Sequence, residues 1–290
     1  MRILHVVFIV CSLNVRGQFI NNNSGSAFSD QAFFNPAYIQ ALRIQRLTAT
    51  ISIKKKNDGI RLTKDELIYH FDTTGNLIQL EQIKNSNGKF ETTNQYFNYD
   101  SSARLIESKK DRGTNWFVTH FNYDSLGRIH ERIESIISKE TQEIPSFITY
   151  ERIEYTKLEE GVLKKYFDEN KQEFKEQTII SSDLDLIVET EKWKMSIHPT
   201  RKEFLLNDGR LASLTIYTEN KDLPIEQNCF AYNNDGELES KEILKDGLFT
   251  NEWQLLYDPN SKIISALINQ DKATGTMEIF RFKEQKYAPK

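Results

Sequence analysis

Phe121-Asn122-Tyr123-Asp124-Ser125-Leu126-Gly127-Arg128-Ile129 reads as the tip of a β-hairpin. An Asp at the first position of a type I turn accepts a hydrogen bond from a backbone N–H two residues on. A Gly at the fourth position supplies the positive φ of the bulge that fits such a turn to the strand twist. Phe121 and Tyr123 fall on one face because side chains alternate along a strand. Ile129 opens the return strand.

The same outline recurs along the chain with graded fidelity. Phe71-Asp72-Thr73-Thr74-Gly75-Asn76-Leu77 is a full copy. Phe97 to Leu105 carries Ala103 at the Gly site, and Phe230 to Leu238 uses Asn233 for Asp. Leu255 to Ile263 has Pro259 in the turn and Ser261 at the Gly site. Phe204 to Leu211 is one residue shorter, Tyr166-Phe167-Asp168 is the weakest copy, and Phe280-Arg281-Phe282 reads as a last strand. The anchors at 72, 100, 124, 168, 207, 233, 258 and 282 define a period of about 25 residues, enough for two strands and two turns. The two long gaps predict eroded units, one from Phe147 to Leu163 and one around Leu184 to Met195. The fold this predicts is all-β, an antiparallel meander of repeated hairpins. Its apolar face must be covered, so the sheet is expected to curl, to roll into a barrel-like form or to fold into packed layers.

The Y-D-x-x-G-x-L outline resembles the YD (Rhs-type) repeats of bacterial secreted and surface proteins, over roughly residues 60 to 285. The resemblance implies an exported repeat scaffold whose activity, where there is one, resides in a separate attached domain. The residues outside the repeats leave no room for such a domain within this sequence. Ala103, Ser261 and the longer spacing depart from the family pattern and count against its large enclosing shell.

Residues 1–17 read as a secretory signal: Arg2, a short apolar run from Ile3 to Leu13, then Val15-Arg16-Gly17 before Gln18. That run is too short to span a bilayer. Cys11 raises a lipoprotein reading, but Val10 precedes it where a small residue is wanted, so export without a lipid anchor is the expectation. Removal of residues 1–17 takes Arg2 and Arg16 and shifts the net charge from −4 to −6. A mild acidic excess does not suit a nucleic-acid partner. Only Cys229 then remains, expected as a small core residue without a disulfide. Residues 18–35, rich in Asn and Ser, read as a flexible segment, and 36–290 as a single β-repeat domain with a possible seam at 138–200. Asn35-Pro36 reads as N-cap and first turn of a short helix to about Leu47, followed by a strand through Ile53. That helix could cap an open sheet edge.

No Walker loop, G-x-S-x-G, H-E-x-x-H or C-x-x-C occurs in the sequence. His120 and His130 flank one hairpin with Glu131 and Glu134 nearby, yet two His on a solvated strand pair are ordinarily surface residues. The tip Asp residues lack the closely spaced carboxylates of a calcium cage and are expected to cap turns. Trp116, Trp193 and Trp253 are candidates for stacking on sugars, with core packing as the plainer role. No catalytic, cofactor-binding or metal-binding residue is assigned, and no cofactor is expected. The sequence points to an exported, non-catalytic binding or scaffold protein of the cell envelope or exterior. Envelope proteins or polysaccharides are the expected partners. A polymer-acting hydrolase, with a carboxylate pair hidden among 42 acidic residues, and an outer-membrane β-barrel are the alternatives.

Overall fold

The computed structural model describes residues 18–28, 33–86, 88–140, 146–183, 185–196, 198–218 and 223–288. The proposed signal, with Cys11, lies outside them. One helix, α1 (Pro36–Leu42), precedes eighteen strands. The first nine are β1 (Ile44–Lys54), β2 (Arg61–Phe71), β3 (Leu77–Ser86), β4 (Lys89–Tyr99), β5 (Leu105–Arg112), β6 (Asn115–Tyr123), β7 (Ile129–Ser138), β8 (Ser146–Lys157) and β9 (Gly161–Phe167). The rest are β10 (Glu173–Asp183), β11 (Leu186–Trp193), β12 (Thr200–Asn207), β13 (Arg210–Thr218), β14 (Glu226–Tyr232), β15 (Leu238–Lys245), β16 (Leu248–Tyr257), β17 (Ile264–Asp271) and β18 (Met277–Lys286).

Every strand pairs antiparallel with its neighbours in sequence, and β18 pairs with β1, Ala49 opposite Phe282. The sheet therefore closes into an 18-stranded barrel. This goes beyond the expected curled sheet or packed layers: joining first strand to last removes both edges, a stronger remedy than a capping helix. The proposed seam at 138–200 is absent from the ladder. Pairing runs unbroken from β7 through β12 among the described residues.

The ring has two rims. One collects the turns after β2, β4, β6, β8, β10, β12, β14 and β16 and is called here the Asp rim. The other collects the turns after the odd strands and is called the Lys rim. Each full tip has the expected hydrogen bonds: Asp124 Oδ1 accepts from the N–H groups of Leu126 and Arg128 at 2.9 Å. Positive φ persists at the Gly site where Gly has been replaced, at Ala103 (58°) and Lys171 (63°), but in the Asp258 turn it falls on Lys262 (58°), one residue past the expected Ser261. The Asp168 tip, weakest by sequence, makes the same bonds to Asn170 and Gln172, but on the opposite rim.

Residues across a ladder share a face. One row runs Tyr69, Leu80, Gln95, Lys110, Phe117 and Ile136, and Tyr69 belongs to the core, so this row faces inward. The N-terminal segment fills the barrel from the Asp-rim end. Phe19 and Ile20 are fully buried, and Phe33 and Phe34 nearly so. Phe34 packs edge-on to Tyr69 and Phe71 of β2, while Phe28 stacks on Trp253 of β16. The described part of residues 18–35, read from sequence as flexible, is thus a plug. Its Asn and Ser content suggests mobility, but its Phe side chains find an apolar seat and outweigh it. Asn35 caps α1 as expected, accepting from Ala37 and Tyr38. The helix stops at Leu42 because Arg43 turns left-handed, and β1 starts earlier than the sequence suggested.

Candidate functional site

Two polar constructions are built on this frame. The first is a ladder along the Asp rim. At four tips the preceding Tyr donates its hydroxyl to the carbonyl that opens the return strand of the preceding hairpin. Tyr99 reaches Leu77 (3.0 Å), Tyr123 reaches Leu105 (2.8 Å), Tyr232 reaches Leu211 (2.9 Å) and Tyr257 reaches Leu238 (2.7 Å). Arg104 and Arg128 each pair with their own tip Asp and lie over the ring of the next Tyr, Tyr123 and Tyr155. The N–H of Arg104 and then its guanidinium hold the Asp100 carboxyl below its ordinary range. The recurring Tyr-Asp pair is thus structural, with Asp making the corner and Tyr tying each corner to the one before it. Tyr257→Phe is expected to lower stability by about 1 kcal/mol, since it leaves the Leu238 carbonyl without that donor. An unchanged melting temperature would remove the ladder as a source of stability.

The second construction lines the lumen from β7 to β11, beyond the plug. Lys175 is buried at 9% exposure. Its ammonium lies 3.9 Å from both Glu151 and Glu191 and over the rings of Tyr166 (3.9 Å) and Trp193 (5.0 Å). Glu151 also meets Arg132 at 3.6 Å, and the indole of Trp193 donates to Glu191 at 2.8 Å. Burial first, then the neighbouring carboxylates, raises the Tyr166 phenol. Each carboxylate here already partners a cation. The arrangement holds these charges in pairs on the inner wall. Trp193 apart, sequence reading does not find these residues because they occupy inward positions, where alternation predicts apolar side chains.

The residues singled out by sequence are dispersed. His120 faces outward opposite Ile133, not His130, with Nδ1 3.5 Å from Glu107. His130 sits at the register shift between Asn122 and Tyr123, its Nδ1 buried without a partner. Glu131 instead accepts from Tyr150 and Asn122. Among the described residues no group of three or more His, Cys, Asp or Glu could hold a metal ion. Trp253 is covered by Phe28 of the plug, and Trp116 lies between Lys109, Lys139 and Tyr96. Only Trp193 is substantially open, at 44% exposure. Cys229, expected in the core, is half-buried on the outward face opposite Ser213 and Glu242. Burial and then Glu242 push its thiol up, away from reactivity.

No protein-family model and no curated protein sequence matches this chain. Among solved structures it is similar to a porin-like protein from Bacteroides uniformis, at 8% identity and a TM-score of 0.44, covering 84% of this chain and 97% of that one. It is also similar to a LolA superfamily protein from Nitrosomonas europaea, at 6% identity and a TM-score of 0.24, covering 88% and 91%. A match to a TcdB2–TccC3 structure, at 11% identity and a TM-score of 0.18, covers 73% of this chain but 14% of that one. All three scores lie below 0.5, so the architecture rests on the chain's own pairing register.

Proposed function

We propose that this chain is a plugged β-barrel protein of the bacterial cell envelope that acts by binding rather than by catalysis. Closure of the ring, its even strand number and its next-neighbour antiparallel connectivity support a barrel over the open repeat surface suggested by the sequence. The export signal and the resemblance of the tips to YD repeats support the envelope. The observation that carries the reading is the chemistry of the outer wall. A row of Glu154, Lys165, Glu176 and Lys192 crosses β8 to β11 on the outward face. Glu107, Lys109, Glu242 and Glu252 face outward on other strands. A lipid-facing wall would cost about 2–4 kcal/mol for each Lys or Arg at the bilayer midplane. A wall of paired charges is at home in water.

The second reading is a barrel embedded in the outer membrane. It is favoured by closure itself, which is the architecture a spanning sheet requires. That no helix among the described residues is long and apolar enough to cross a membrane leaves this reading untouched. Fractionation of expressing cells separates the two. The water-facing barrel is expected to be exported and released by alkaline carbonate without detergent. Resistance to carbonate, with release only by detergent, would instead establish the embedded form.

A further inference from the structure

The two rims differ in chemistry. Among the described residues, eight large apolar side chains are at least half exposed: Ile60, Leu62, Phe90, Leu126, Met195, Leu223, Leu248 and Leu256. All but Leu126 and Leu256 belong to the Lys rim. They mark an arc of neighbouring hairpins that runs from the β11–β12 turn, through β13–β14 and β15–β16, to β1–β2 and β3–β4. Within this arc, where β18 closes on β1, the turns β1–β2 and β17–β18 form a cleft of about 360 Å³. Lys54, Lys55, Lys56 and Lys272 line it, and no carboxylate does. Lys272 is held in place by Gln270 (2.8 Å) and Glu252. Lys55 and Lys56 are exposed. Of the acids nearby, Asp58 is taken up by Arg61 at 2.8 Å and Asp271 caps its turn through the N–H of Thr274. The Asp rim carries a carboxylate at nearly every tip; the Lys rim has acids too, among them Asp111, Asp168 and Asp246, but none of them lines the cleft.

We propose that the Lys rim docks the barrel end-on against an anionic lipid surface. Lipid phosphates enter the lysine cleft while Phe90, Leu248 and Leu223 settle among the headgroups. Lysines beside exposed apolar tips are the combination that membrane surfaces select, the cations meeting anionic headgroups and the apolar tips entering the acyl boundary. A soluble anion would need the cleft alone and would give no reason for six apolar tips on the same rim. Nucleic acid would be served by the charge without the aliphatic tips. This inference rests on the reading that the outer wall faces water, since an embedded barrel would have its rims at the two interfaces regardless.

The test is flotation of the folded chain with vesicles of phosphatidylcholine, with or without phosphatidylglycerol. Binding is expected to the anionic vesicles only, and to weaken steeply with salt. The variant Lys54→Gln/Lys55→Gln/Lys56→Gln is expected to lose about tenfold or more in partitioning, given the contribution of each cation near an anionic surface. Phe90→Ser/Leu248→Ser should lose binding at low salt too. All five positions are at a solvated turn or strand end, and an unchanged melting temperature shows that the variants fold. Equal binding to neutral vesicles, or full binding by the triple variant, would overturn the proposal. So would displacement by inorganic phosphate beyond that by chloride of equal ionic strength, or capture of duplex DNA in preference to vesicles. A chain that stays soluble without detergent but does not float refutes the docking alone. A chain that needs detergent refutes the water-facing barrel beneath it.

Discussion

Gly75→Ala is expected to destabilise the protein by about 3 kcal/mol or more, lowering the melting temperature by about 5 °C or more, while Gly127→Ala costs about 1 kcal/mol. The two glycines hold the same place in their tips, with φ of 89° and 74°. Positive φ alone costs a side chain about 1–2 kcal/mol, and Ala103, at 58°, shows that the chain tolerates it. What differs is the surroundings. A Cβ on Gly127 would find only Arg104 Nη1, at 3.8 Å. A Cβ on Gly75 would lie 1.9 Å from the Pro36 carbonyl oxygen and 2.9 Å from the Gln40 nitrogen. Backbone of α1 occupies that space, so either the helix or the tip must move, adding an overpacking cost of about 1–3 kcal/mol. Gly127→Val, with a β-branched side chain at positive φ, falls between them at about 1–2 kcal/mol. Thermal or urea unfolding of the variants decides the matter. Equal melting temperatures for the two Ala variants would mean that the plug does not seat on the first tip.

The same comparison shows how far the sequence could be read. Corners were legible because their chemistry is local: an Asp oxygen, two N–H groups and one positive φ lie within five residues. Alternation of Phe121 and Tyr123 gave the strands for the same reason. Closure was not legible. It depends on the pairing of Leu47 with both Tyr69 and Glu284, and no local pattern announces a contact across nearly the whole chain. The plug was missed because its apolar residues, Phe19, Ile20, Phe33 and Phe34, follow neither a two- nor a three-to-four-residue period; they make an irregular wedge held by the walls around it. The Lys175 cluster was missed because inward charges break the alternation on which inward positions are recognised. The contrast between the rims escaped notice because the hairpin turns had not been assigned to two ends of a ring.

Glu237→Gln is expected to leave stability at pH 5 nearly unchanged and to raise it at pH 8, flattening the pH dependence of unfolding. Glu237 follows the Asn233 tip and is 3% exposed. One carboxyl oxygen accepts the Phe19 N–H at 2.7 Å, so this residue fastens the start of the plug to the Asp rim. Gln18 adds a bond from its side chain to the Gly236 carbonyl, also at 2.7 Å. Burial, only partly offset by the Phe19 N–H, pushes the Glu237 carboxyl up from 4.5 to about 7. Between those values the folded chain holds a proton that the unfolded chain has released. Stability therefore falls as pH rises through that window and levels off above it. The full shift would correspond to about 3 kcal/mol, but the group adjoins the exposed Asp235 and Lys262 at the rim, and solvent screening there reduces the expected difference to about 1–2 kcal/mol. Gln keeps the size and the accepting oxygen without the charge, so the Phe19 bond survives while the ionisation penalty disappears. Urea midpoints at pH 5 and pH 8 for both proteins provide the check. If the native chain shows no loss of stability between these pH values, or if the Gln variant loses as much, Glu237 is not the group whose ionisation loosens the plug. If the expected pattern holds, the hold of Glu237 on the start of the plug at the Asp rim weakens as the pH rises towards neutrality.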